Sequence, residues 1–135
     1  MKTTIYESTL SSVVATKEAW GLSVVFYGNC EVETTPAAKV IIDWFETVRE
    51  QYVYFDFRNT LSIDDGTIGL LLLIKQVGLK KGINTAVICA QNDANKITTA
   101  FYNISLSCSV RLYKSPHTFV LEAMGQKAPS RGASS

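Results

Sequence analysis

The chain has 135 residues, 47% of them apolar, which supplies the core of one domain. Thirteen basic residues face twelve acidic ones, a balance that gives no electrostatic footprint for nucleic acid or anionic lipid. The three cysteines, Cys30, Cys89 and Cys108, form no CxxC pair, which argues against a disulfide framework or zinc site and fits a reducing cytoplasm.

Met1–Tyr6 lacks a continuous apolar stretch, so no signal peptide is expected. The first eleven residues read as an extra strand or an arm, followed by one domain over 12–124 and a small, polar, flexible tail over 125–135. Ser12–Thr16 and Leu22–Tyr27 carry the Val, Phe and Tyr content of strands, with Lys17–Gly21 as a hairpin turn. Thr34-Thr35-Pro36 starts a helix: a Thr cap with Pro in the first turn, then Val40, Ile41, Trp44, Phe45 and Val48 at helical spacing. Val53–Phe57 is a short buried strand, ending in a loop over Asn59–Ser62.

A second helix is predicted from Asp65 to Lys81, stopped by Gly82. Leu70, Leu73, Ile74 and Val77 form a stripe suited to the core. Ile68, Leu72 and Leu79 project opposite, among Lys75, Gln76 and Lys80, and read either as a sticky surface or as a helix with reversed or doubled coverage. The longest apolar run, Ile68–Ile74, is far short of the roughly 20 residues of a membrane span. Ile83–Cys89 is a strand. A third helix follows from Asp93, with Ile97, Ala100, Phe101 and Ile104 on one stripe, and Val110–Tyr113 is the last strand. Ser115-Pro116 starts a final helix through Met124. Alternating strands and helices after an opening hairpin imply an α/β fold: a small, mixed, mostly parallel sheet with about four helices.

No catalytic, cofactor or metal site emerges. His117 is the sole histidine, and no GxSxG, Walker A or GxGxxG pattern exists. Asp64 and Asp65 are consecutive, so on a helix they do not face each other as metal ligands would. Trp20 and Trp44 read as packing residues. The two carboxylates do sit well at a helix N-terminus, where N–H groups lack partners and the dipole is positive, which by itself reads as helix capping.

The stretch Ile63-Asp64-Asp65-Gly66-Thr67-Ile68-Gly69-Leu70-Leu71 resembles the STAS domain, the module of anti-sigma factor antagonists. That family places Asp-Ser-Ser/Thr-Gly at this strand-to-helix turn, followed by Leu-Gly and further apolar residues. Lys80-Lys81-Gly82 before a Val-Ile strand, and Val24-Val25-Phe26-Tyr27-Gly28 before the Thr34-Thr35-Pro36 helix start, match in order over about residues 12 to 124. The resemblance implies a cytoplasmic, non-enzymatic regulator without cofactor. Its partner would be an anti-sigma factor of the histidine-kinase-like serine kinase class, with a phosphatase if some residue is phosphorylated. The contact surface would be Asn59, Ser62, Asp64, Asp65, Gly66, Thr67, Ile68 and Leu72. The family's phosphoacceptor position is Gly66 here, which has no side chain to modify. Asp65 then supplies a fixed charge of one against about 1.5 to 2 for phosphate, or Thr67 is the acceptor, rotated by about 100° around the helix, or the site is no switch. The alternatives are a cytoplasmic STAS subunit of a membrane (lipid) transport system, and a degenerate module that homodimerises.

Overall fold

The computed structural model describes residues 1–89 and 111–125. Six strands and three helices are present among them: β1 (Lys2–Glu7), β2 (Ser11–Glu18), β3 (Gly21–Cys30), α1 (Ala37–Phe45), β4 (Tyr52–Ile63), α2 (Gly66–Lys81), β5 (Asn84–Ile88), β6 (Arg111–Tyr113) and α3 (His117–Gly125). The helix expected from Asp93 lies outside the described residues. No described helix is long and apolar enough to cross a membrane.

The strands form one sheet in sequence order. β1, β2 and β3 are an antiparallel meander, and β3, β4, β5 and β6 run parallel, as the hairpin-then-crossover pattern predicts. On one face, Val24 and Phe26 of β3 meet Val53, Phe55 and Phe57 of β4 beneath Ile41 and Phe45 of α1 and Leu70, Leu71 and Ile74 of α2. Phe26 stacks on Phe57 with ring centroids 4.2 Å apart, and Phe45 meets Phe55 edge-on. On the other face, α3 buries Phe119 against Trp20, Tyr52 and Tyr54, with Trp20 stacked on Tyr54 at 5.3 Å.

Three expectations need correction. β4 runs to Ile63, so Asn59–Ser62 is strand and not loop: β3 extends alongside it, pairing Tyr27 with Asn59, Gly28 with Thr60 and Asn29 with Ser62. Leu73 is not core. The buried face of α2 centres on Ile74 and takes Thr67, Leu70, Leu71, Val77 and Gly78, which leaves Leu73 44% exposed. Of the three residues assigned to the opposite face, Leu79 is 68% exposed, whereas Ile68 and Leu72 are half-buried and pack partly against the core. α2 stops where expected: Gly82 takes a left-handed φ of 72°, and its N–H reaches back to the Leu79 carbonyl.

Candidate functional site

The parallel pairing of β3 and β4 brings Cys30 beside Ile63, and both strands end at the same edge of the sheet. The segment leaving β3 and the turn leaving β4 therefore meet, a position where open α/β sheets commonly bind. The turn is two residues long. Asp64 and Asp65 accept backbone hydrogen bonds from Thr67 and Ile68 at 3.1 and 3.2 Å, which winds the chain into α2.

Neither carboxylate does what helix capping predicts. Asp65 occupies the N-cap with helical φ and ψ, makes no side-chain cap bond and is exposed. Asp64 reaches across to the neighbouring segment instead: its Oδ2 accepts the Glu33 backbone N–H at 2.9 Å. Its Oδ1 accepts the Thr67 hydroxyl at 3.4 Å. That hydroxyl also lies 3.7 Å from Cys30 Sγ. The result is a small polar joint in which Asp64 ties the β3–α1 segment to the first turn of α2. Burial pushes the Cys30 thiol up to about 11; the Thr67 hydroxyl opposes this and the Asp64 charge adds to it. Burial therefore favours the neutral thiol at this position.

Gly66 is where the joint closes. A Cβ built on it would stand 2.7 Å from Glu33 Cγ and 3.1 Å from the Glu33 backbone nitrogen. Glu33 thus packs into the space that a side chain at 66 would need. Thr67 has no exposed surface, so its hydroxyl meets a phosphorylating enzyme only after the first turn of α2 lifts off Cys30. This geometry disfavours the alternative acceptor.

The structure groups Ser62, Asp64, Asp65, Gly66, Thr67 and Ile68 around this joint. Ser62 donates to Asn29 Oδ1 at 3.1 Å, across the ends of β3 and β4. Asn59 sits further back on β4, exposed and paired with Tyr27, and Leu72 lies along α2. Leu61 is 83% exposed between Asn59 and Ser62. Sequence reasoning missed Asn29, Cys30 and Glu33. They lie more than 30 residues from their partners; the signal that could have found them is the predicted parallel pairing of the strands, which brings the end of β3 and the segment after it beside the end of β4.

No protein-family model and no curated protein matches the sequence. Among solved structures, the chain is similar to an anti-sigma factor antagonist from Mycobacterium paratuberculosis, with a TM-score of 0.69 and 12% identity over 84% of this chain and 94% of that one. It is also similar to the STAS domain of a SulP transporter from Vibrio cholerae, with a TM-score of 0.55 and 15% identity over 79% of this chain and 84% of that one. The chain has a STAS-like fold.

Proposed function

We propose that this chain is a non-enzymatic, cytoplasmic regulatory module that docks a histidine-kinase-like anti-sigma factor. The docking surface is the edge formed by the end of β4 and the first turns of α2. Asn59 and Ser62 present the strand end, Asp65 an exposed carboxylate, and Ile68 and Leu72 apolar surface. Asp64, Gly66 and Thr67 shape the turn from beneath. The observation that carries this reading is the joint itself: Asp64 bonded to Glu33, and Glu33 packed on Gly66. It closes the turn at the position where the resemblance to the STAS family places the Asp-Ser-Ser/Thr-Gly motif, and position 66 offers no acceptor. Docking here does not depend on phosphorylation, and a phosphatase has no substrate at this turn.

The test is affinity capture from native lysate with and without ATP, comparing the wild-type chain with Asp65→Arg. The expected result is a kinase-like ATPase retained by the wild type and lost by the variant. Co-purification of membrane transporter subunits would refute it in favour of a second reading, a STAS subunit of a transport system. The likeness to the SulP transporter domain supports that second reading.

A further inference from the structure

The outward face of α2 has a symmetry that the docking proposal does not use. Asp65, Gly69, Leu72, Gln76 and Lys80 recur every three or four residues and so line one face of the helix. Asp65, Gly69, Gln76 and Lys80 are exposed and Leu72 is half-buried. Leu73 flanks the stripe, 44% exposed. The acidic residue stands at the N-terminal end and the basic one at the C-terminal end, about 22 Å apart along the axis.

Gly69 is an exposed glycine inside the helix. A Cβ placed there would meet nothing within 4 Å. Glycine within a helix sacrifices backbone entropy, and alanine would be accommodated at no steric cost. A notch of this kind lets another backbone come close.

We propose that this face binds a second copy of the same chain, α2 against α2, antiparallel about a two-fold axis passing between Leu72 and Leu73. The stripe is complementary to itself in that arrangement. Asp65 of each copy meets Lys80 of the other, Gly69 receives Gln76, and Leu72 and Leu73 meet at the centre. Each contact occurs twice, as an isologous interface requires. A parallel arrangement would oppose Asp65 to Asp65 and Lys80 to Lys80. One helix pair covers less area than a standard interface, so the dimer is weak, with a dissociation constant on the order of 100 µM. Self-association does not rest on the anti-sigma reading, but it covers Leu72 and Asp65 and therefore competes with any partner that uses them.

The experiment is sedimentation equilibrium on the purified chain up to about 1 mM, with Asp65→Lys, Lys80→Asp and an equimolar mixture of the two. Each variant alone places like charges opposite each other twice, and its dissociation constant rises about tenfold. In the mixture the introduced lysine of one variant faces the introduced aspartate of the other. The retained Lys80 of the first faces the retained Asp65 of the second, so a heterodimer of wild-type strength returns. That recovery is its own folding control, because a misfolded variant restores nothing. Leu73→Glu abolishes the dimer. A wild-type chain that stays monomeric throughout, or a dimer that both single reversals leave unchanged, would overturn the proposal. Because no partner is present, these outcomes are independent of whether the docking proposal holds.

Discussion

The joint at Asp64 makes a quantitative prediction. Asp64→Ala deletes an ionised acceptor from the Glu33 N–H, a bond of 2.9 Å, and among the described residues leaves the buried Thr67 hydroxyl with the 3.7 Å contact to Cys30 Sγ. A hydrogen bond to a charged group contributes about 1.5–3 kcal/mol, and the Glu33 bond takes the lower end of that range because Glu33 is exposed. The Thr67 bond is long at 3.4 Å, but its hydroxyl is desolvated, and orphaning it adds about 1 kcal/mol. The expected loss is about 2–3 kcal/mol, read as a lower urea midpoint at unchanged slope. Asp64→Asn retains one acceptor and loses about half as much. Hydrogen exchange localises the effect: the Glu33 amide loses protection in Asp64→Ala while core amides such as that of Phe55 keep theirs relative to global stability. A loss below about 0.5 kcal/mol, or an unchanged Glu33 amide, would refute the idea that this carboxylate ties the two segments together.

Three further outcomes are expected. Gly66→Ser forces the new Cβ against Glu33 Cγ at 2.7 Å and costs about 1–2 kcal/mol in urea unfolding; adding Glu33→Ala removes the obstructing atom and recovers most of it. Raising the pH ionises Cys30 in the unfolded chain near the ordinary thiol value of 9.0, but in the folded chain only near 11. Stability from this group is thus intact below pH 9 and falls between 9 and 11, by about 2–3 kcal/mol, a difference that Cys30→Ala abolishes in parallel pH titrations of the urea midpoint. Arg58→Met leaves the buried Asp56 carboxylate without the guanidinium that holds it at 2.7 Å and costs about 3 kcal/mol, whereas Asp56→Asn combined with Arg58→Met regains most of that stability.

Much of the architecture is legible because local signals and topology agree. Val, Phe and Tyr mark the strands, Gly82 marks the end of α2, and the alternation of strands and helices gives the parallel half of the sheet. The failures have physical causes. Asn59-Thr60-Leu61-Ser62 reads as a loop because its composition is mostly polar, yet it is strand because β3 continues beside it through Cys30 and pairs with its backbone. Leu70-Leu71-Leu72-Leu73-Ile74 is uniformly apolar, so periodicity carries no phase and cannot say whether Leu71 or Leu73 faces the core; the sheet below decides for Leu71. The joint was invisible for a third reason. Asp64 and Gly66 are conspicuous in sequence, but Glu33, which explains both, becomes their neighbour only through pairing between strands.

That neighbour bears on how docking at this edge could be controlled. A serine switch needs an acceptor with open space around it, and here Glu33 Cγ occupies that space while Asp64 holds the Glu33 backbone N–H. Installing the acceptor alone therefore strains the joint, and a phosphate at 66 would add negative charge beside Glu33, Asp64 and Asp65, where like-charge repulsion opposes it. In the proposed docking, control therefore acts on access to the surface. Self-association through α2 supplies such control by mass action, because the dimer covers Leu72 and Asp65. Partner binding then falls as the chain's own concentration passes its dimer dissociation constant, and Leu73→Glu, which cannot dimerise, binds a partner at Asp65 independently of concentration. A titration of partner affinity against total chain concentration separates the cases: a slope for the wild type that vanishes in Leu73→Glu supports access control, and parallel flat lines refute it.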